Sequence, residues 1–149
     1  QMVVGFGMAR GVAHTEFIKA DDGRFYFLET AARVGGANIE ELVVAAAGVN
    51  LWGEWAKLEA AHAQGGQYII PTDKGEYAGV LICLAREEWP DLSGYQDAEI
   101  VFRLHKKFHA GLIVASADRD RVETLIAAYA QRFAYDFLAV APPLDRPPE

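Results

Sequence analysis

The chain has 149 residues, of which 52% are hydrophobic, and a formal net charge of −7 at pH 7. This hydrophobic content is sufficient to bury a core, so we expect one or two globular domains rather than a disordered chain. The acidic balance argues against general nucleic-acid binding and against attraction to an anionic membrane, because both require a basic face.

The single cysteine, Cys83, lies in an apolar run and has no second cysteine to pair with. We expect it to pack as a small hydrophobic residue in a reducing compartment. The sequence shows no signal peptide and no uninterrupted apolar run of about 18 residues. These features predict a cytoplasmic protein with no membrane partner.

Residues 1–9 are apolar and read as the end of a helix. Gly5, Gly7 and Gly11 weaken this helix and predict that it ends before the next element. The same glycines do not form a dinucleotide-binding motif, because no strand precedes them at the required spacing.

Two aromatic-rich runs, residues 12–20 and 24–31, flank an Asp22-Gly23 pair. This pair is a strong signal for a two-residue turn, so we predict a β-hairpin. Counting outward from such a turn places Glu16 directly opposite Glu29.

Carboxylates that face each other across two strands repel, and a hard divalent cation removes that cost. Mg²⁺ prefers one or two carboxylates together with phosphate oxygens and water, so Glu16 and Glu29 suit a metal–nucleotide site. Arg33 is four residues after Glu29, so its side chain lies on the same face as Glu29 if the strand persists, and it could hold an anion there. Two alternatives stay open: an ordinary exposed hairpin face, and a three-residue turn that shifts the register.

The sequence over residues 15–18 and 26–36, Thr-Glu-Phe-Ile and Tyr-Phe-Leu-Glu-Thr-Ala-Ala-Arg-Val-Gly-Gly, resembles the C-terminal part of the ATP-grasp fold. Biotin carboxylases, carbamoyl-phosphate synthetases and carboxylate–amine ligases have this fold. The resemblance is specific over residues 11–51. It implies an ATP-dependent ligase that binds ATP and a small carboxylate or bicarbonate.

The resemblance also implies roles for individual residues. Glu16 and Glu29 would bind the Mg²⁺ (or Mn²⁺) of the nucleotide, and Arg33 would contact the acyl phosphate or the carboxylate substrate. The chain departs from the family at Ala31, where the family usually has a metal-binding Asn, and this difference puts the second metal in doubt.

The family further has an N-terminal domain and a lid with a phosphate-binding lysine, neither of which fits before the hairpin. Because the chain also begins at Gln1 and not at Met, we expect it to be a C-terminal piece of a longer enzyme. We expect this piece to be inactive alone.

Residues 38–47 have the spacing of one apolar helix face, and Gly48 fits the end of that helix. A helix beginning at Gly36–Asn38 points free N–H groups toward the hairpin end, which suits a phosphate or carboxylate. The alternative is a glycine-rich loop before a packing helix.

A second helix is predicted over residues 51–63, with Asn50 as its N-cap and with Trp52 and Trp55 as core or domain-interface anchors. The glycine-rich loop that follows predicts a domain boundary. We therefore divide the chain into a metal- and nucleotide-binding portion (1–66), a small α+β subdomain (67–141) and a Pro-rich tail (142–149).

The predicted subdomain contains strands and one helix. The strands are residues 67–71, 77–85, 98–104 and 111–115, with the second buried on both faces, and residues 118–137 form an amphipathic helix. Residues 86–97 are expected to be a solvated loop, and residues 105–109 a basic hairpin tip. The fold class is α+β, with an antiparallel β-hairpin and helices followed by a small sheet-and-helix subdomain.

Two further functions stay open. One is a non-catalytic binding or dimerisation module, a homodimer in the simplest case, with a degenerate metal site. The other is a biotin carboxylase-type subunit, which would need a biotinylated carrier partner.

Overall fold

The structure is a computed structural model that describes residues 5–140. The contacts of the chain divide it into two compact units, Gln1–Gly75 and Glu76–Glu149. Part of the predicted helix over residues 1–9 and the whole of the predicted Pro-rich tail lie outside the described residues. No helix in the described part of the chain is both long enough and apolar enough to cross a membrane.

The first unit contains a β-hairpin followed by two helices. Strand β1 is His14–Lys19 and strand β2 is Phe25–Ala31, and they pair antiparallel; helix α1 is Ile39–Ala47 and helix α2 is Leu51–Ala63. Both helices end or begin as their sequences predict. Gly48 closes α1 with a left-handed φ of 73°, and the Asn50 side chain caps α2 by accepting a bond of 2.7 Å from the N–H of Gly53.

The hairpin exposes apolar side chains on both faces. Among the described residues of the first unit, only Val34 is buried, at 2% exposure. An isolated two-stranded hairpin is only marginally stable in water, and contiguous exposed apolar side chains are typical of interaction surfaces. The exposed residues of the hairpin are Phe17, Ile18, Phe25, Tyr26, Phe27 and Leu28.

The second unit is a three-stranded antiparallel sheet with one helix packed on it. Its strands are β3 (Tyr77–Leu84), β4 (Ile100–Arg103) and β5 (His109–Ser116), in the order β3-β5-β4, and helix α3 is Arg119–Asp136. Side chains from β5 and α3 form most of the core. The α+β fold predicted from the sequence is confirmed in both units.

Two predicted strands differ from the structure. Residues 67–71 have no regular structure, because no strand lies beside them in the described chain to accept their backbone bonds. The strand expected to be buried on both faces is β5 and not β3: residues 110–115 are all buried, whereas β3 is an edge strand with an exposed Leu84. An uninterrupted apolar run does not by itself separate a central strand from an edge strand.

The predicted solvated loop over residues 86–97 is partly buried. Tyr95 is 2% exposed, and its ring packs edge-on against Tyr129 and Phe133. Its hydroxyl donates to Asp136 Oδ2 at 2.7 Å, and its carbonyl accepts a bond of 2.6 Å from Arg103 Nη2. The loop is therefore fixed to α3 by Tyr95, together with the Arg86 guanidinium, which donates to the carbonyls of Tyr135 and Asp136.

A charged network ties the start of β4 to α3. Arg121 donates to Asp97 at 2.7 Å and to Glu99 at 2.7 Å, and the Tyr129 hydroxyl donates to Asp97. The bonds from Tyr129 and Arg121 lower the pKa of the Asp97 carboxyl, and the bond from Arg121 lowers the pKa of Glu99. Both carboxyls therefore favour the folded state most when they are ionised.

We expect Arg121→Gln to lower the unfolding temperature at pH 7 and to have a smaller effect at pH 3. A carboxyl with a lowered folded pKa adds stability above its unfolded pKa of about 4, and this stability is lost as the pH falls through the folded value. Arg119→Gln, which breaks an exposed pair with Glu123 on the same helix, is the control. Equal effects of Arg121→Gln at both pH values would contradict this role.

We expect Phe133→Ala to lower the free energy of unfolding by about 3–5 kcal/mol, because Phe133 is 3% exposed at the centre of the aromatic cluster. Tyr135→Ala, two residues further along the same helix and 84% exposed, should change it by less than about 0.5 kcal/mol. Urea unfolding measures both values. Similar losses for the two variants would show that the cluster is not the core of this unit.

Candidate functional site

The hairpin turns through three residues and not two. Ala20 and Arg24 are joined by a backbone bond of 2.9 Å, and the N–H of Gly23 donates to the carbonyl of Ala20 at 2.9 Å. Gly23 has a φ of 82°, the left-handed conformation that closes such a loop and that favours glycine. The predicted two-residue turn at Asp22-Gly23 is therefore wrong, and the register next to the turn is shifted by one residue.

A β-bulge restores the predicted register further along the hairpin. Phe17 is paired with Phe27. The preceding residue of β1, Glu16, which is one step further from the turn, is paired with Glu29, so Leu28 has no partner. The additional residue in the turn is compensated by the additional residue in β2. Glu16 and Glu29 therefore face each other, as the sequence predicts, although the turn itself differs.

The two carboxylates lie on one face of the hairpin. The hydroxyls of Thr15 and Thr30 are 2.8 Å apart, which shows that this neighbouring pair shares a face. Because side chains alternate along a strand, Glu16 and Glu29 share the opposite face. The Glu29 carboxylate makes no hydrogen bond or ion pair with another described residue.

An imidazole lies beside Glu16. His14 Nδ1 lies 3.8 Å from Glu16 Oε1, and the Cα partner of His14 across the hairpin is Ala31. His14 is not among the site residues predicted from the sequence. The alternation of side chains could have identified it, because His14 is two residues before Glu16 and so has the same parity.

The residues fit a nucleotide-bound cation better than a metal held by protein alone. Among residues 5–140 no three Asp, Glu, His or Cys side chains are already grouped around a metal position. Mg²⁺ needs only one or two carboxylates when phosphates and water supply the other ligands. Glu16 and Glu29, which are exposed enough to reach a ligand, match that requirement.

Arg33 does not continue the strand as predicted. Strand β2 ends at Ala31, and the N–H of Arg33 turns back to the carbonyl of Ala31 at 2.9 Å. The guanidinium donates to the carbonyl of Val34 at 3.0 Å and lies 3.9 Å from the position of a Cβ on Gly36. Arg33 forms no ion pair with another described residue, so its charge is available to an anion beside Gly36.

The beginning of α1 is less suited to an anion than its sequence suggests. The helix begins at Ile39, and Asn38 precedes it with a left-handed φ of 63° and with no side-chain cap bond. Glu40 and Glu41 occupy the first turn, where their negative charges already compensate the positive end of the helix dipole. The anion-binding roles of Gly36 and Asn38 stay predictions, and they depend on Arg33 more than on the helix.

A cavity of about 430 Å³ lies beside the hairpin. Phe27 and Thr30 contribute to its wall, and Thr30 belongs to the face opposite the two carboxylates. Glu29 also lines the cavity, and Glu16 is not among its described lining residues, so the cavity adjoins one of the two carboxylates. Its described lining residues are Phe6, Met8, Ala13, Phe27, Glu29, Thr30 and Ala32.

We expect Gly35→Ala to destabilise the first unit by about 1–3 kcal/mol, because the new Cβ would lie 2.9 Å from Ile39 Cγ2 and 3.3 Å from His14 Cδ2. Gly36→Ala is the matched control. Its Cβ meets only Arg33 Nη1 at 3.9 Å, so the change should stay within about 0.5 kcal/mol. Thermal unfolding compares the two variants, and equal effects would show that the close contact at Gly35 does not matter.

Neither the protein-family models nor the curated protein sequences gave a match to the chain. Several solved structures match its fold, including the following two. One is phosphoribosylglycinamide synthetase from Anaerococcus prevotii (TM-score 0.55, 14% identity), over 94% of this chain and 39% of that chain. The other is L-amino acid ligase from Bacillus licheniformis (TM-score 0.60, 17% identity), over 95% of this chain and 40% of that chain.

The chain thus spans about two fifths of the length of each of these proteins. Both are ATP-grasp enzymes, as the sequence resemblance implies. Over nearly its whole length, therefore, this chain has the fold of part of an ATP-grasp enzyme.

Proposed function

We propose that the chain is part of an ATP-dependent ligase that activates a carboxylate, or bicarbonate, as an acyl phosphate. The observation that carries this proposal is the pairing of Glu16 with Glu29 on one face of a hairpin, in a fold shared with ATP-grasp enzymes. Two facing carboxylates cost stability unless a cation lies between them. A nucleotide-bound Mg²⁺ supplies that cation.

Each proposed site residue has a separate task. Glu16 and Glu29 would hold the nucleotide-bound cation, and Mg²⁺, when bound, would supply positive charge that neutralises the transferred γ-phosphoryl group. Arg33, whose guanidinium forms no ion pair with a described residue, holds the carboxylate substrate together with the backbone of Gly36 and Asn38. These contributions are electrostatic and positional, so no nucleophile from this chain is required.

The proposed reaction has two steps. A carboxylate oxygen attacks the γ-phosphorus, the bond to the β–γ bridging oxygen breaks, and ADP leaves. An amine or a similar nucleophile then attacks the acyl carbon, loses its proton, and displaces inorganic phosphate. Since one of the two matching structures is an L-amino acid ligase, amino acids are the first carboxylates to test.

The structure favours a site completed by further residues of the same enzyme. The chain spans 39% and 40% of the two proteins whose fold it shares. The apolar side chains on both faces of the hairpin also suit a sheet that continues beyond these two strands. We therefore propose that a nucleotide-binding domain and a lid complete the site, and that this chain is inactive alone.

The exposed hairpin also supports a second candidate function, that of a dimerisation module in which a second copy covers Phe25, Tyr26 and Leu28. Sedimentation equilibrium together with Mg²⁺–nucleotide titration of the full-length protein separates the two candidates. A stable dimer that binds no nucleotide favours the module, whereas a monomer that binds Mg²⁺ and nucleotide favours the ligase.

In the full-length protein, we expect Glu16→Gln and Glu29→Gln each to lower carboxylate-dependent ADP formation by about 100-fold or more. Asp21→Asn is the matched control, because it removes a carboxylate from the tip of the same hairpin and should leave turnover unchanged. With an ¹⁸O-labelled carboxylate, one ¹⁸O atom should appear in the released phosphate.

Two results would overturn the proposal. Unchanged ADP formation in both Gln variants would remove Glu16 and Glu29 from the site. Product formation without ¹⁸O in the phosphate would exclude the acyl phosphate.

A further inference from the structure

The chain that follows helix α2 is extended and has no backbone partner. Residues 66–72 contain no helix, strand, turn or bend. The N–H and carbonyl groups of Tyr68, Ile69 and Ile70 form no backbone hydrogen bond with a described residue. A strand is predicted from the sequence over residues 67–71, and the run Tyr-Ile-Ile has the composition of one. This segment therefore lacks only a neighbouring strand in the described part of the chain.

The 67–71 segment also presents two large apolar side chains to solvent. Ile69 is 84% exposed and Ile70 is 80% exposed. The residue before them is anchored, because the Tyr68 hydroxyl donates to Glu54 Oε2 on α2 at 2.8 Å. The segment is thus held at the surface with its backbone groups unpaired. An exposed apolar strand of this kind is a template for pairing with another chain.

The absence of charge on the segment favours a second copy of the same chain as the partner. Residues 64–71 read Gln-Gly-Gly-Gln-Tyr-Ile-Ile-Pro, within a chain whose net charge is −7. Two copies repel each other through their net charge, and the repulsion is smallest where uncharged segments meet. A charged partner peptide would find no complementary charge along these residues.

We propose that residues 67–71 of two copies pair as antiparallel strands about a two-fold axis. Pro71 selects the register, because proline has no N–H and can lie only where the ladder needs no donor. This condition is met when Tyr68 of each copy pairs with Ile70 of the other. Residues 68 and 70 then exchange the backbone bonds, while the backbone groups of residues 67, 69 and 71 point away from the partner.

This register brings Ile69 of one copy directly opposite Ile69 of the other. A residue that lies between two hydrogen-bonded pairs forms a non-hydrogen-bonded pair, whose Cα atoms are about 4.5 Å apart. The two Ile69 side chains share one face and cover each other. The pairing thus satisfies the free backbone groups and removes the exposed Ile69 side chain from water.

The contact uses no residue of the hairpin, so it does not depend on the proposed function. Only a few residues from each copy take part, and a contact of this size belongs to the small, weak class of interfaces. We therefore expect monomer and dimer to exchange in solution, with the dimer favoured at high protein concentration.

Disulfide trapping in the full-length protein tests the register, with Cys83→Ala as the background. We expect Ile69→Cys to cross-link two copies at least about tenfold faster than Ile70→Cys, because paired positions have a high effective concentration. Opposite Cα atoms at position 69 lie within the range of about 4.4–6.8 Å that a disulfide spans. The two copies of position 70 would be about 8 Å apart, which is too far for a disulfide. Mass spectrometry of the linked peptide identifies the cross-linked position.

Sedimentation equilibrium gives a second measurement that needs no cysteine. Ile69→Lys should abolish the dimer, because it places two like charges opposite each other. Tyr135→Lys is the matched control, since Tyr135 is also 84% exposed but lies on α3, and this variant should dimerise as the native protein does.

Three results would overturn the proposal. Equal cross-linking at positions 69 and 70 would indicate random collision or another register. No cross-link at position 69 would show that the hairpin mediates any dimer, or that other residues of the same enzyme cover Ile69. Unchanged dimerisation of Ile69→Lys would exclude the segment from the interface.

Discussion

The candidate site depends on one constraint, the register that places two glutamates opposite each other. Glu16 and Glu29 face each other only because a three-residue loop and the bulge at Leu28 compensate for one another. Without the bulge, the loop would leave Glu16 opposite a different residue and would move the second carboxylate along the strand. The like charges make this arrangement unfavourable for an isolated hairpin, and the proposed cation would remove that cost.

The other proposed residues are gathered around the end of this hairpin. Strand β2 ends at Ala31, so Arg33 turns toward Gly36, while Gly35 lets Ile39 and His14 approach closely. As a result the Arg33 guanidinium, which donates to the carbonyl of Val34, follows the end of β2, and the His14 imidazole lies 3.8 Å from the Glu16 carboxylate. The second unit is organised differently, around Tyr95 and the aromatic face of α3, and it derives its stability from a conventional core.

Much of the fold could be predicted from local sequence signals. Asn50, Gly48 and the apolar stripe of α3 specify helix ends and faces through interactions within a few residues, and these predictions are confirmed. The errors arise where residues distant in the sequence determine strand order or burial. The place of β5 at the centre of its sheet depends on strand order, and the burial of Tyr95 depends on α3.

In the candidate site, too, local signals could be predicted from the sequence and the details of strand pairing could not. The pairing of Glu16 with Glu29 was predicted from a two-residue turn that does not form, and the pairing survives because the bulge restores the register. A bulge at Leu28 has no distinct sequence signature among neighbouring aromatic residues. The prediction for Arg33 requires the strand to persist to residue 33, but β2 ends at Ala31. The end of the strand is set by backbone bonding, because the N–H of Arg33 turns back to the carbonyl of Ala31, and the alternation of side chains does not reveal it.

The most direct measurement is the coupling free energy between positions 16 and 29 in a double-mutant cycle of Glu→Gln variants, taken from unfolding with and without saturating Mg²⁺. Without the cation, the two facing carboxylates should repel and together lower the free energy of unfolding. With the cation bound between them, they should together raise it. The coupling free energy between positions 16 and 29 should therefore change sign. A coupling that is zero, or that is the same under both conditions, would contradict a shared cation between Glu16 and Glu29.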